Sequence, residues 1–274
     1  MDAEVQRRIQ RYGWDRAAGS YEPSWRHQLS RAHAELLEMA APAPGERVLD
    51  VACGTGLMTF AAAERVAPGG GGVIGIDVSG KMLEEAWLQA VGSGVDNAIF
   101  HRMDGESLAI PSGRMDLAIC ALGLMYMPDP RQCMHEMRRV LGEEGRVAIA
   151  VWGGRQNCGW SSVFPIVDAE VASQVCPLFF SLGESSALVA LCEETGFVVR
   201  QERRVFTHLE YADPMDACNA VFEGGPVALA WSRFDYVTRK RLRQQYLREI
   251  EQWRDVDRYR IPAEFALVVA DKRA

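Results

Sequence analysis

A short glycine turn between an apolar segment and a helical pattern offers the clearest chemistry in the sequence. Residues 48–57 read VLDVACGTGL, so an apolar strand pattern runs through Asp50 into a turn that carries Gly54 and Gly56. Glycine lets the backbone turn sharply and approach a ligand without a Cβ in the way. Open α/β sheets bind ligands at the carboxyl ends of their strands, where such turns lie. Turns of this kind also occur without a ligand, so the residues that follow must decide.

Aspartates follow the next two strand patterns. Residues 73–77 read VIGID, and an acid at that position can accept hydrogen bonds from both ribose hydroxyls of adenosine. Asp77 could instead only cap the helix that begins near Ser79. Asp104, after the third strand pattern, can accept from an exocyclic adenine amine, and Gly105 leaves room beside the ring; a plain turn is the alternative. Three such positions at consecutive strand ends favour a nucleoside site.

The glycine spacing argues against a ligand that contains a pyrophosphate. From Gly54 the chain reads GTGLMT, which lacks the third glycine of the dinucleotide pattern GxGxxG, and the turn carries no GxxxxGK[ST] phosphate loop. A nicotinamide-dependent oxidoreductase therefore becomes the less favoured alternative. A protein that binds the cofactor without catalysis is another.

Strand and helix patterns alternate through the first 152 residues and would position these groups. Apolar runs typical of buried strands occur at residues 47–51, 72–77, 98–101, 115–121 and 146–152. Helical patterns occur at residues 57–66, 81–91 and 131–141. Ser79 is expected to cap the second helix and Gly142 to end the third. Short apolar strands between amphipathic helices are typical of a parallel sheet covered on both faces.

The rest of the chain predicts a cap and the close of the sheet. Residues up to about 42 are helical, with an apolar stripe formed by Leu29, Ala32, Leu36, Leu37 and Ala40. After Trp152 a helix is predicted at 185–195, a strand at 197–206, helices over 212–258 and a last strand at 265–270. The predicted fold class is α/β: a Rossmann-like, open, mostly parallel seven-stranded sheet with helices on both faces and a helical cap. We predict one domain over 1–274 with these parts: an N-terminal lid (1–42), a cofactor-binding core (43–152), cap insertions (153–184 and 212–258) and segments that close the sheet (185–211 and 259–274).

Composition excludes several classes of function. The net charge of −7 argues against chain-wide attraction to nucleic acid, and the basic stretch 233–248 has the spacing of a solvated helix face. No 18-residue apolar run indicates a membrane span, and the N-terminus lacks a signal layout. Seven scattered cysteines without a CxxC pair argue against disulfides or a metal site and for a cytoplasmic location. The sequence leaves open whether the protein forms a homo-oligomer.

Together the motifs resemble the class I S-adenosylmethionine-dependent methyltransferases, in the small-molecule group that includes the ubiquinone/menaquinone biosynthesis enzymes. The resemblance covers about residues 12–152 and rests on these segments: VLDVACGTG (48–56), GIDVS (75–79), MDG (103–105), MDL (115–117), CALG (120–123), MRRVLG (137–142) and GR (145–146). It departs at Ala52, where the family often has glycine.

The resemblance implies S-adenosylmethionine as cofactor, with S-adenosylhomocysteine as product. It implies these cofactor-binding residues: Tyr21, Arg26, Asp50, Ala52, Cys53, Gly54, Gly56, Asp77, Val78, Met82, Asp104, Gly105 and Ala121. By this resemblance the glycines would approach the methionine part, and Ala52 would add backbone contacts. Asp77 would hold the ribose, Val78 and Met82 would sandwich the adenine, and Ala121 would lie near the sulfonium. Asp104 and Gly105 would meet the adenine edge. Segment 21–26 resembles the family's lid, from which Tyr21 and Arg26 could reach the cofactor carboxylate.

The methyl acceptor is expected to be a small, largely apolar or aromatic molecule. Its contacts should come from residues 122–127, the lid and the insertions. These offer Met125, Tyr126, Trp160, Phe164, Phe222 and Trp231, although residues of this kind more often pack in a core than bind a substrate. Candidates for a base are His27, Tyr126, His208 and Glu223. The sequence CALG at 120–123 differs from the NPP[YF] loop of DNA adenine methylation. An arsenic site would need converging cysteines, and Cys158 and Cys176 in the cap give weak support.

Overall fold

A central sheet of eight strands organises the protein, which is described here by a computed structural model over residues 3–171 and 179–273. The strands are β1 Arg47–Val51, β2 Gly72–Asp77, β3 Ala98–Arg102, β4 Met115–Ala121, β5 Leu141–Trp152, β6 Phe197–Tyr211, β7 Arg254–Asp255 and β8 Arg258–Lys272. Their order is β3-β2-β1-β4-β5-β8-β6, and the two-residue β7 pairs with β8 outside this path. The strands β1 to β5 run parallel, and β8 runs antiparallel to β5 and β6. The predicted open, mostly parallel α/β sheet is confirmed.

Helices pack on both faces of this sheet. They are α1 Ala3–Ala40, α2 Leu57–Val66, α3 Gly80–Ser93, α4 Pro130–Val140, α5 Val163–Asp168, α6 Ala187–Glu194, α7 Pro214–Phe222, α8 Ala228–Arg233 and α9 Tyr236–Ile250. Helix α1 contacts α2 and α3. It also contacts α7 and α8, which lie in the predicted cap insertion 212–258 and which we call the cap helices. None of the helices in the described ranges combines the length and the apolar character needed to cross a membrane.

The apolar stripe predicted for the N-terminal helix is buried. Leu29, Ala32, Leu36, Leu37 and Ala40 are each at most 7% exposed, so this face of α1 covers the sheet. The helix is 38 residues long and continues through the lid segment 21–26. The division of the chain into lid, core and insertions stays a prediction, and residues 172–178 of the first insertion lie outside the described residues.

One predicted helix cap is confirmed and the other is wrong. Ser79 caps α3, since its hydroxyl accepts a hydrogen bond from the Met82 backbone N–H at 3.1 Å. Gly142 does not end α4: the helix stops at Val140, and Leu141 already pairs with Met115 of the neighbouring strand. The strand begins directly after the helix, so no left-handed glycine is needed there.

The last two long strands extend beyond their predicted bounds. Strand β6 reaches Tyr211 and β8 begins at Arg258, because the two pair with each other along nearly their whole length. Beyond residue 206 the buried residues of β6, Leu209 and Tyr211, alternate with polar ones, so no continuous apolar run marks this part of the strand. Pro262 lies inside β8, opposite His208.

A buried arginine fastens the end of α1 to the sheet. Arg146 of β5 is 9% exposed and binds both carboxylate oxygens of Glu46, at 2.7 and 2.8 Å. Its guanidinium also donates to the carbonyl oxygens of Ala40 at 2.8 Å and Ala41 at 3.0 Å. Carbonyl groups at a helix C-terminus lack partners within the helix. Arg146 supplies hydrogen-bond donors to these two carbonyl groups.

We expect Arg146→Met to lower the free energy of unfolding by about 3 kcal/mol, because it leaves Glu46 and two helix-end carbonyls without their cation. Arg47→Met is the matched control. Arg47 binds Asp116 at the surface with its own side chain 52% exposed, and such pairs contribute less than about 1 kcal/mol. Urea unfolding of both variants checks this. Equal losses would contradict the role given to Arg146.

Candidate functional site

A cleft opens at the carboxyl ends of β1 to β4, with α1 along one side. Its empty volume is about 720 Å³, including the mouth, within the range usual for small-molecule sites. Nine of the thirteen predicted cofactor residues line it: Tyr21, Ala52, Gly54, Asp77, Val78, Met82, Asp104, Gly105 and Ala121. The other lining residues are Arg7, Gln10, Trp14, Met103, Leu122, Gly123, Tyr126, Met127 and Pro128. The convergence of strand ends therefore brings most of the predicted residues together.

The two glycines of the first turn serve different purposes. Gly54 has φ +56°, and a Cβ placed on it would meet no heavy atom within 4 Å. Gly56 has φ +90°, and a Cβ there would lie 2.8 Å from the Phe60 ring. Gly54 therefore exposes its backbone to the cleft, whereas Gly56 lies behind it and allows close packing with α2.

Asp77 joins this turn to the start of α3. It is 8% exposed; its Oδ2 accepts from the Gly54 N–H at 3.0 Å and its Oδ1 from the Ser79 N–H at 2.8 Å. Burial raises the pKa of Asp77 to about 6, although the backbone donors oppose the shift. Each oxygen can accept a further bond, so the carboxylate can still accept from a ligand in the cleft.

Asp50 lies just behind the wall of the cleft. It is 1% exposed, and its Oδ2 accepts from the Thr59 hydroxyl at 2.6 Å. Its Oδ1 and the hydroxyl of Thr55 are buried with no hydrogen-bond partner among the described residues. Burial raises the pKa of Asp50 to about 7 and that of the Cys53 thiol well above its ordinary value. A buried, unpaired carboxylate oxygen suits a cationic ligand group.

The third strand end carries a short acidic turn. Asp104 Oδ1 accepts from the Glu106 N–H at 2.9 Å, and its Oδ2 lies 3.5 Å from the Arg7 Nε of α1. A Cβ on Gly105 would lie 2.9 Å from Val51 Cγ1 and 3.1 Å from Met127 Cε. The glycine thus permits packing against the sheet, which differs from the expectation that it makes room for a ring.

Two residues other than glycine take left-handed backbone conformations at the cleft. Ala52 has φ +57° and Leu122 has φ +64°. Such conformations cost roughly 1–2 kcal/mol for L-residues. At Ala52 this explains why glycine is common in the family that the motif resembles. Strained backbone of this kind is concentrated at ligand sites.

Aromatic rings form the wall opposite the glycine turn. Trp14 meets Tyr126 edge to face at 4.9 Å and Tyr21 at 5.9 Å between ring centroids, and Tyr126 meets Phe179 at 5.2 Å. Burial, and then the charge of Asp77, raise the pKa of Tyr21 well above its usual range, so this phenol stays protonated.

The predicted acceptor residues separate into two groups. Trp160 and Phe164 contact Phe179 at 5.7 and 5.1 Å, so they are buried behind the aromatic wall and do not line the cleft. Phe222 stacks on Trp231 at 4.3 Å in the core of the cap helices, and neither lines the cleft. Met125 is buried and does not line the cleft either.

Of the four candidate bases, Tyr126 alone lines the cleft. His27 on α1 and His208 on β6 are exposed. Glu223 binds Arg243 at 2.7 Å in the cap. Among the predicted cofactor residues, Arg26 points outward, with its side chain 59% exposed and paired with Glu22.

The structure adds Arg7, Gln10 and Trp14 to the site. Together with Tyr21 they lie on one face of α1 at helical spacing. This spacing is the feature of the sequence from which they could have been predicted. Across residues 3–171 and 179–273, no group of three or more His, Cys, Asp or Glu side chains could hold a metal ion. Cys176, considered for arsenic, lies outside these residues.

Comparisons with known proteins agree with this geometry. Residues 42–186 match the family model of the methyltransferase domain. The chain is 32% identical over 136 residues to a nocamycin O-methyltransferase of Saccharothrix syringae, covering 50% of this chain and 48% of that one. It is 34% identical over 128 residues to a demethylmenaquinone methyltransferase of Lactobacillus johnsonii, covering 44% and 52%. The chain thus spans about half the length of these relatives.

Two solved structures share the fold. A methyltransferase-like protein of Bacillus halodurans, BH2331, superposes with a TM-score of 0.63 at 19% identity, covering 88% of this chain and 99% of that one. The [4+2]-cyclase SpnF superposes with a TM-score of 0.61 at 19% identity, covering 92% and 83%. The sheet order and the cleft are those of class I S-adenosylmethionine-dependent methyltransferases. The chain belongs to this methyltransferase-domain family.

The buried Asp50 predicts an unusual dependence of stability on pH. Its carboxyl has an ordinary pKa near 3.8 and a folded pKa of about 7, so its contribution is full below about pH 4 and lost as pH rises to 7. We expect Asp50→Asn to remove this loss. The variant's stability relative to the native protein should then improve by at least about 1 kcal/mol between about pH 5 and pH 8.

Asp116→Asn is the control of opposite sign. Arg47 lowers the pKa of Asp116, so the contribution of this pair is present above the ordinary pKa and lost only at lower pH. Its substitution should cost the same at both pH values. Urea unfolding measures both variants, and parallel behaviour of the two would show that Asp50 titrates like a surface carboxyl.

Proposed function

We propose that this protein transfers the methyl group of S-adenosylmethionine to a small, largely apolar or aromatic molecule and releases S-adenosylhomocysteine. The observation that carries the proposal is the placement of Asp77 and Asp104 on one cleft beside the open backbone of Gly54. Carboxylates at two neighbouring strand ends fit the ribose hydroxyls and the exocyclic amine of adenosine. The protonated phenol of Tyr21, which lines the cleft, fits the carboxylate of the methionine end, and the charge of Asp50 behind the cleft wall favours a cationic group nearby.

When bound, the cofactor supplies a methyl group on a sulfonium centre. The residues of the chain would then bind and orient: Asp77 accepts from the ribose, Asp104 accepts from the adenine amine, and Val78 and Met82 lie against the ring. The Tyr21 hydroxyl donates to the cofactor carboxylate. Displacement at the methyl group depends mainly on alignment and exclusion of water. The apolar surface for this comes from residues that line the cleft: Trp14, Met103, Leu122 and Met127.

The acceptor is proposed to approach along the aromatic wall of Trp14 and Tyr126. Among the described lining residues, the ionisable side chains are Arg7, Tyr21, Asp77, Asp104 and Tyr126. The two aspartates are used in hydrogen bonds or ion pairs, and the raised pKa of Tyr21 makes it a poor base. Tyr126 is the predicted base that lines the cleft, so we favour it, or an acceptor acidic enough to lose its own proton. The names of the relatives support small-molecule acceptors.

We expect Asp77→Asn to raise the dissociation constants of S-adenosylmethionine and S-adenosylhomocysteine by at least about tenfold, or about 1.4 kcal/mol, because it removes the charge that faces the ribose. Asparagine keeps an acceptor for the Gly54 or Ser79 N–H, which favours correct folding. Calorimetry checks the affinity, and Asp116→Asn, at the opposite edge of the sheet, should stay within about twofold of the native protein. An unchanged affinity in folded Asp77→Asn protein would remove Asp77 from this role.

A protein that binds the cofactor without methylating anything is the second candidate. The same fold occurs in a protein named as a [4+2]-cyclase, so the fold does not by itself decide between the two candidates. Incubation with methyl-labelled S-adenosylmethionine and fractionated metabolites separates the two. Release of S-adenosylhomocysteine together with a labelled apolar product supports methyl transfer. Tight cofactor binding without release in any fraction supports the second candidate, and turnover only with highly charged acceptors would contradict the apolar one.

A further inference from the structure

The first turns of α1 lie along the cleft at the end of β3. Arg7 lines the cleft there, and its Nη1 donates to Glu106 Oε2 at 2.7 Å. Its Nε lies 3.5 Å from Asp104 Oδ2, the carboxylate to which we assign the adenine amine. One guanidinium thus connects α1 to two acids of the turn that follows β3.

Glu106 is a fixed partner for this arginine. It is 7% exposed, and its other oxygen accepts from the Asp129 N–H at 2.9 Å, at the N-cap of α4. A carboxylate buried to this degree needs a cation or donors on both oxygens. The Arg7 side chain, by contrast, is 37% exposed, so water and salt can compete for it. The pair therefore has an anchored acid and an exchangeable base.

A second contact holds α1 on the opposite rim. Asp15 Oδ1 accepts from the Ser79 hydroxyl at 2.7 Å and from the Lys81 N–H at 3.2 Å, at the start of α3. Arg7 and Asp15 are about two helical turns apart. The helix segment between them spans from the end of β2 to the end of β3, across the part of the cleft that contains Asp77 and Asp104.

We propose that Arg7 is a cofactor-retaining residue: its ion pairs with Glu106 and Asp104 hold α1 across the cleft, and the cofactor is released when they open. The inference rests on the proposed function, since it takes the nucleoside to lie between Asp77 and Asp104. Arg7 acts through α1 and is a positioning residue. It sets the rate of release, whereas the methyl transfer itself depends on the other end of the cleft.

The test follows the release of S-adenosylhomocysteine by stopped-flow tryptophan fluorescence, for which Trp14 in the cleft is a built-in probe. Arg7→Met keeps most of the aliphatic stem and removes the charge, and it should release the ligand at least about tenfold faster. Glu106→Gln should also speed release, because it removes the negative charge that faces Arg7. The glutamine can still accept from the Asp129 N–H, which preserves the local fold. Because Arg7→Met already removes the ion pair that Glu106→Gln weakens, the double variant should release the ligand no faster than Arg7→Met alone. Arg7→Lys should restore part of the slow release.

The dependence of the release rate on salt separates a cofactor-retaining ion pair from a merely structural contact. In the native protein, release should accelerate as NaCl rises from about 50 mM to about 500 mM, because salt screens the partly exposed Arg7 member of the pair. In Arg7→Met the rate of release should stay constant over this range of NaCl. Arg8→Met, at the exposed neighbouring position on α1, is the matched control and should behave as the native protein does.

Each outcome has one meaning. Native release rates in Arg7→Met, or additive effects in the double variant, would overturn the retaining role while leaving the proposed function intact. Failure of the native protein to bind S-adenosylhomocysteine at all would overturn the proposed function, and this inference with it. Fast, salt-independent release in Arg7→Met, combined with native rates in Arg8→Met, supports the proposal.

Discussion

The cleft depends on the burial of two carboxylates, Asp50 and Asp77, at the carboxyl edge of the sheet. Burial raises the pKa of both, so the ionised forms cost free energy in the folded protein. Part of that cost is offset by the Gly54 and Ser79 N–H groups and by the Thr59 hydroxyl. One oxygen of Asp50 has no partner among the described residues. Asp50 lies behind the cleft wall and Asp77 on it, and the charge of these two acids favours a cationic ligand group over a phosphate.

The same carboxylates explain the backbone around them. Asp77 can accept from the Gly54 N–H only if the turn after β1 bends back toward β2, and this bend places Ala52 in a left-handed conformation. Leu122, at the end of β4, is in the same region of backbone space. A Cβ on the following Gly123 would lie 2.4 Å from the Ala52 Cβ, so the two strand ends are in close contact. The shape of the cleft floor is thus fixed by packing before any ligand arrives.

The sequence predicted this floor well because it depends on local patterns. Short apolar strands followed by glycine or aspartate identify the carboxyl edge of a parallel sheet, and parallel strand ends converge whatever the rest of the chain does. Arg7 and Trp14 were missed because a polar or aromatic residue on a long helix has many uses, and only the docking of α1 shows which face meets the cleft. Arg26 was included for the opposite reason: its neighbourhood suggested a lid, but its helical position directs it toward Glu22 and solvent. Phe222 and Trp231 could not be told from cleft residues, since large rings fill cores and ligand sites alike.

The fold alone cannot name the reaction, since the structurally similar SpnF carries the name of a different chemistry. The distinction must lie in the walls, which are formed by α1 and by the residues after β4. A wall of neutral rings such as Trp14 and Tyr126 supplies shape and a dry surface but little charge, so it can align an acceptor with a methyl group that is already activated. Packing thus fixes the strand ends that carry Asp77 and Asp104, whereas the proposed acceptor and the proposed rate of cofactor release depend on α1 and on the segment after β4.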